Sequence, residues 1–176
     1  MSSLVSPELQ AVRHAAREAE SISDLSLREF LSFRIGSEEY GIDILRVQEI
    51  RSYEAPTRLA GAPAAVVGVT NLRGVVVPIV DLRMHLGKTS DVNGSTVIIV
   101  LNVGGTVIGA VVDAVSDVVE LSPLQIKPVP DLRHNMDLAH ISGIATIDSA
   151  QGARLLILLD IERTMSSAEV GLQLPF

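Results

Sequence analysis

From Glu29 onward apolar and polar residues alternate with a period of two, the pattern of half-buried strands. FLSFRIGSEEYGIDI carries that alternation around a glycine-bearing turn and predicts a hairpin over roughly residues 29–36 and 39–44. The next stretch, LRVQEIRSYEAPTRLAGAPAAVVG, reads as a short corner followed by a loop bearing Pro and Gly. GVTNLRGVVVPIVDLR then predicts two strands with a tight turn near Arg73-Gly74. Pro78, which has no N–H for a ladder, calls for an edge position or a bulge there. After the polar connector DLRMHLGKTSDVNG, TVIIVLNVGGTVIGAVVD predicts a hairpin turning at Gly104-Gly105. Only residues 7–22, PELQAVRHAAREAESI, follow a different period. Leu9, Val12, Ala16 and Ala19 recur at helical spacing, with Ser6 as N-cap and Pro7 at the first helical position, so a weakly amphipathic helix is expected.

Laying the hairpins over one another reveals an internal repeat. IGSEEYGIDILRVQEI, starting at residue 35, matches VGGTVIGAVVDAVSDV, starting at residue 103, at a constant offset of 68. Gly36 falls on Gly104, Gly41 on Gly109, Val47 on Val115, Glu49 on Asp117 and Ile50 on Val118. Further on, GVTNLRGVVVPIVDL answers GIATIDSAQGARLLILLDI, with Asp81 set against Asp160 and a longer turn in the second copy. Many short strands and few helices point to small barrels or sandwiches. Each copy is near the lower size limit for a lone core, so the two should share a buried interface. Val76, Ile79 and Leu82, and Ile98, Val100 and Val107, are the wall residues expected to fill the barrels.

Composition narrows the partners. Lys and Arg number 14 against 21 Asp and Glu, a formal net charge of −7 that repels phosphate backbones and anionic bilayers. With no Trp and only 3% aromatic residues, stacking platforms for single strands are missing too, so nucleic acid is not an expected partner. There is no cysteine for a disulfide or thiolate metal site. The first residues, MSSLVSPELQ, do not read as a signal peptide, and no apolar run is long enough to span a bilayer, so no membrane insertion is expected.

Catalytic constellations are equally scarce. His14, His85, His134 and His140 make no pair at helical ligand spacing; His134, Asp137 and His140 are close in sequence but read as a polar loop. No nucleophile elbow and no phosphate-cradling loop occurs, and Gly104-Gly105 with Gly109 is hairpin chemistry because a strand follows it. Asp81, Asp113, Asp117 and Asp160 recur at strand ends in both copies, the mark of structural partners. No cofactor and no metal is expected. What remains is a carboxylate and a cation. Glu49 follows Val47 by two, so the pair is expected to point to one side, and Arg73 projects from a turn tip where Glu49 could orient its guanidinium towards a partner.

Taken together, EEYGIDILRVQEIR, GVTNLRGVVVPIVDLR, TVIIVLN, VIGAVVDAVSDVVEL and LLILLDIER resemble the CheW family of bacterial chemotaxis coupling proteins over about residues 29–165. The resemblance implies a mainly β fold: two SH3-like five-stranded β-barrels around a shared hydrophobic core, with short connecting helices. Its divisions would be an N-terminal helical extension over 1–28 and the family domain over 29–165. Within that domain one lobe would span about 29–90 and the other about 95–165, with exchange of strands between them left open, and 166–176 would form a tail. It implies a cytoplasmic, non-enzymatic adaptor, monomeric alone, that joins the regulatory domain of the histidine kinase CheA to the cytoplasmic tips of methyl-accepting chemoreceptors. Carried over position by position, the partner-binding residues would be Val47, Glu49 and Ile50 in the first corner, Gly68, Asn71, Arg73 and Gly74 around NLRG, and Val118 in VSDV. A CheW-like paralogue serving a motility or c-di-GMP pathway is the alternative reading, and a small-ligand-binding barrel a remote one. The regular helix before Leu27 and the tail after Met165 depart from the family pattern.

Overall fold

The computed structural model describes residues 27–88, 91–129 and 140–166. The helix expected over 7–22, most of the tail, His134 and Asp137 lie outside the described residues. The described chain is mainly β. The first copy contributes the hairpin β1 (Arg28–Ile35) and β2 (Glu38–Asp43), a 3-10 turn over Ile44–Arg46, β3 (Val47–Ser52), and the hairpin β4 (Val66–Leu72) and β5 (Val75–Asp81), followed by helix α1 (Leu82–His85). The second copy contributes β6 (Val97–Val103), β7 (Thr106–Val112), β8 (Ala114–Leu121), β9 (Ile126–Lys127), β10 (Ile141–Ser149), β11 (Gly152–Leu159) and helix α2 (Ile161–Ser166). Asp81 and Asp160 start the two helices, accepting hydrogen bonds from the backbone N–H groups of Arg83 (3.0 Å) and Arg163 (3.2 Å).

Each sheet draws on both copies. A five-stranded sheet runs β3-β6-β7-β5-β4, and a six-stranded one runs β8-β1-β2-β11-β10-β9. The first hairpin of each copy is therefore seated among strands of the other, and the two crossings match: β5 pairs in parallel with β7 at Ile79↔Gly109, and β11 with β2 at Leu158↔Gly41. The six-stranded sheet exceeds the expected five because Ile126–Lys127 pairs with β10 and forms the edge opposite β8. In the five-stranded sheet a single residue does the same work. Thr57, beyond β3, exchanges both backbone hydrogen bonds with Val69 of β4 at 2.8 Å, drawing the two outer strands together and closing the barrel.

Closure needs a glycine. A Cβ at Gly68 would lie 2.2 Å from the Thr57 carbonyl oxygen, and one at its repeat partner Gly143 would lie 2.7 Å from Ile126 Cγ2. The same bridge explains Pro78. Because Val69 gives its hydrogen bonds to Thr57, its partner Pro78 turns its nitrogen away from β4, on the side where pairing with β7 begins only at Ile79. The strand is central, and the proline still displaces no ladder bond.

The corner after β2 is a strand, which its sequence conceals. Val47 pairs with Leu101 and Glu49 with Val100, so Gln48 is an extra residue in β3, a bulge; Ser116 is its counterpart in β8, between Asp117↔Ser32 and Val115↔Phe33. The bulge breaks the alternation, so VQEIRS does not read as a strand.

Apolar residues gather in three places. Phe30, Leu121, Ala145, Leu156 and Leu158 fill the six-stranded barrel, and Val77, Ile79, Ile98, Val100 and Val111 the five-stranded one. Between them lies the shared core, where Leu31, Phe33, Tyr40 and Ile42 from the first hairpin join Ile99, Leu101, Ile108 and Ala110 from the third. Each fully buried side chain of this size contributes about 1.5–3 kcal/mol. Two of the expected wall residues lie elsewhere: Val76 faces outward and is 65% exposed, and Leu82 begins helix α1 and packs in the shared core instead of a barrel.

Candidate docking site

The β4–β5 turn holds an arginine at a position where a turn of the same shape elsewhere in the sheet holds a glycine. Leu72 pairs with Val75, leaving Arg73 and Gly74 as a two-residue loop with φ of 52° and 87°. The β6–β7 turn has the same shape, Gly104 and Gly105 at 58° and 86°. In each, an asparagine side chain clasps the turn: Asn71 Oδ1 accepts from Gly74 N at 2.8 Å, and Asn102 Oδ1 from Gly105 N at 3.0 Å. A left-handed conformation disfavours an L side chain by about 1–2 kcal/mol. Arg73 holds it nonetheless, and its side chain is 77% exposed.

That side chain reaches back across the barrel seam. Arg73 Nη2 donates to Glu49 Oε2 at 2.6 Å, and Arg51 Nη1 to Glu49 Oε1 at 3.1 Å. Since β3 and β4 are the outer strands of the sheet, the Glu49–Arg73 pair bridges the seam that Thr57 closes further along. Arg73 first, and Arg51 after it, hold the Glu49 carboxyl below its ordinary range by donating these hydrogen bonds. Glu49 and Arg73 rim a cavity of about 350 Å³ whose other walls are Gln48, Leu72, Val75, Val77, Val100 and Val107.

The expected site residues fall into separate groups. Glu49 and Arg73 meet as expected, and Asn71 and Gly74 shape the turn that presents Arg73. Val47 and Glu49 do not share a side. The Gln48 bulge puts Val47 with Leu101, on the face of the shared core, and Glu49 with Val100, at the barrel mouth. Ile50, paired with Ile99, lies on the outer wall and is 45% exposed. Gly68 is buried, and its role is the approach of Thr57. Val118 is exposed on β8 of the other barrel, the repeat counterpart of Ile50 and not a neighbour of Arg73. Val75 and Val76, exposed beside the turn, escaped the sequence reading because the run VVV before Pro78 looks like barrel filling; their distance of one and two residues from a two-residue turn was the available signal.

Elsewhere the strand-end acids hold structure together. Arg83, 1% exposed, sends Nε and Nη2 to the two oxygens of Asp81, each at 3.0 Å, and Nη1 to Asp113 at 3.1 Å and the Asp91 carbonyl at 2.7 Å. Asp113 in turn accepts from Gly36 N at 2.7 Å, tying the two copies. His140 packs edge-on against His85, and no group of three or more His, Cys, Asp or Glu suited to a metal occurs among the described residues. No described helix is long and apolar enough to cross a membrane.

The sequence profile of the CheW-like domain matches residues 29–169. The chain belongs to the CheW-like domain family. The Chemotaxis protein CheW of Klebsiella aerogenes is 49% identical over 146 residues, covering 82% of this chain and 86% of that protein. The Chemotaxis protein CheW of Rhizobium meliloti is 38% identical over 143 residues, 81% of this chain and 90% of that one. Among solved structures, the scaffolding protein TtCheW from Thermoanaerobacter tengcongensis superposes with a TM-score of 0.73 at 26% identity, covering 84% of this chain and 99% of its own. Two sheets of five and six strands are thus the CheW-like fold. The chain is an adaptor of the chemotaxis-coupling kind, in a family of non-enzymatic scaffolds.

Proposed function

We propose that this chain works in the cytoplasm as a non-enzymatic bridge between the regulatory domain of a CheA-type histidine kinase and the cytoplasmic tips of chemoreceptors. The observation that supports it best is Arg73. A strained, exposed arginine occupies a left-handed position that glycine fills in the like-shaped β6–β7 turn, and Glu49 holds its guanidinium in one orientation. Folding alone would favour glycine, so the side chain is there for contact. Around it, Ile50, Val75 and Val76 supply exposed aliphatic surface, the usual make-up of a small interface: apolar anchors with a polar group that sets register. Information would pass by contact, with receptor rearrangement biasing the kinase through two rigid barrels that share one core.

The first test is a pull-down from host lysate with wild-type protein and Arg73→Ala, read by mass spectrometry. A CheA-type kinase and chemoreceptors should be recovered, and depleted in the variant. Recovery of a kinase of another pathway would retain the adaptor role and move its setting. The 49% identity to the Chemotaxis protein CheW of Klebsiella aerogenes favours the first outcome.

A further inference from the structure

The repeat gives both barrels a mouth built from matching positions, and the two mouths are filled differently. In the six-stranded barrel Arg154 lies between Glu39 at 3.4 Å and Asp117 at 3.5 Å, while the buried Ser32 hydroxyl donates to the other oxygen of Glu39 at 2.7 Å. These four side chains come from β1, β2, β8 and β11 and plug the opening. The offset of 68 that superposes the copies puts Ser32 on Val100, Glu39 on Val107 and Asp117 on Glu49, and the alignment of Asp81 with Asp160 puts Arg154 on Val75. Of the plug, only the carboxylate of Asp117 has a charged counterpart in the five-stranded barrel. The rest is valine, and the cavity of about 350 Å³ stands over Val75, Val77, Val100 and Val107.

The rims differ in charge as well. At the plugged mouth two carboxylates face one arginine. At the open mouth the one carboxylate, Glu49, is shared between Arg73 on the rim and Arg51 outside the cavity lining, so a positive charge is in surplus there on a chain of net charge −7. Arg73 engages Glu49 through Nη2, and its remaining donors point from a side chain 77% exposed. The open mouth adjoins the exposed Val76 on the outer wall of β5.

We propose that the mouth of the five-stranded barrel is a socket for an aliphatic side chain of the protein partner, with a partner carboxylate next to it seated on Arg73. The socket refines the docking reading above and rests on it. The occupant is aliphatic because the floor is valine and offers no hydrogen-bond partner, and acidic at its flank because the rim carries the surplus cation. The matching mouth shows that such an opening takes a long side chain. There it is Arg154 of the same chain; at the open mouth it comes from the partner.

The test transplants the plug. In Val75→Arg/Val107→Glu the new arginine can lie over Val100, between Glu49 and the carboxylate introduced at position 107, as Arg154 does between Asp117 and Glu39. Binding of the purified regulatory domain of a CheA-type kinase is measured by titration calorimetry, with unfolding temperatures as a check on folding. Kd should rise at least tenfold for the transplant and for Arg73→Ala, and severalfold for Val75→Gln, which adds no charge and decides the matter should the double variant fail to fold. A loss with Arg73→Ala but none with either mouth variant overturns the socket and leaves the docking reading standing. Wild-type protein that does not bind the domain, or Arg73→Ala that binds it unchanged, overturns both. For the carboxylate, Asp→Asn and Glu→Gln substitutions across the kinase domain should include one that weakens the wild type as much as Arg73→Ala does and has no further effect in that variant; fully additive losses overturn this half of the proposal.

Discussion

Gly68→Ala separates a contact residue from a structural one. The added methyl would stand 2.2 Å from the Thr57 oxygen and 2.7 Å from its carbonyl carbon. A carbon–oxygen contact needs about 3.3 Å, so Thr57 must retreat by about 1 Å. Its two hydrogen bonds with Val69, both 2.8 Å, do not survive such a shift. At about 0.5–1.5 kcal/mol each, their loss costs about 1–3 kcal/mol. Gly68 also has φ of 155°, which alanine adopts at a further cost of about 1 kcal/mol. The sum, about 2–4 kcal/mol, lowers the unfolding temperature by about 5–15 °C in a chain of this size. Thermal unfolding followed by far-ultraviolet circular dichroism measures it directly. Gly143→Ala is the internal control. There the nearest obstacle is a side-chain atom, Ile126 Cγ2, with the Lys127 carbonyl oxygen at 3.1 Å, so its loss should be about half as large. Any binding defect of Gly68→Ala should then follow the opening of the seam under Glu49 and Arg73. An unchanged unfolding temperature with weakened kinase binding would refute this reasoning and return Gly68 to the contact residues.

Other outcomes follow from the same geometry. Arg73→Gly relieves the left-handed strain and should raise the unfolding temperature by about 2–4 °C, whereas Arg73→Ala keeps the strain and gains nothing; both should weaken kinase-domain binding about tenfold or more, measured by calorimetry. The Glu49 carboxyl has a folded-state pKa below its unfolded one, so the stability it contributes is present above the unfolded value and is lost as pH falls through the folded one. The unfolding temperatures of wild type and Glu49→Gln should therefore keep a constant gap from about pH 8 to 5, by scanning calorimetry, and converge only below the ordinary carboxylate range. Arg83→Met leaves the buried Asp81 carboxylate without its counter-charge and should cost about 3–5 kcal/mol in urea unfolding, with part of the loss recovered by adding Asp81→Asn.

The hairpins were legible because strands packed on one face alternate, and the turn at Arg73-Gly74 because two residues with positive φ between apolar runs have few other readings. The repeat was legible because duplicated backbone needs duplicated glycines: Gly41 and Gly109 are both crossed closely by side chains of the parallel partner strand, Leu158 and Ile79. β3 was not legible, since one bulged residue, Gln48, turns a strand into an apparent corner and sends Val47 and Glu49 to opposite faces. Nor was the Arg83 clasp. Its partners come from positions 81, 91 and 113, and a lone arginine after a strand looks like any solvated cation. Glu49 and Arg73 were paired correctly because both lie at the same end of the barrel, although that end is formed only when the third hairpin, Val97–Val112, is inserted between their strands.

That insertion makes neither half of the sequence a foldable object. Cut between Leu86 and Val97, the first half would keep β1 and β2 without the neighbours they need, and β3 with β4 and β5 would be left as the rims of a barrel lacking its middle. The second half would be the mirror case. Two such halves have one way to satisfy all their strands, which is to interlock, as the subunits of a strand-swapped dimer do. The connector between them turns a concentration-dependent association into an intramolecular one, so the swapped arrangement persists however dilute the protein is. Unfolding should accordingly be a single event in which both barrels are lost together, with neither outlasting the other.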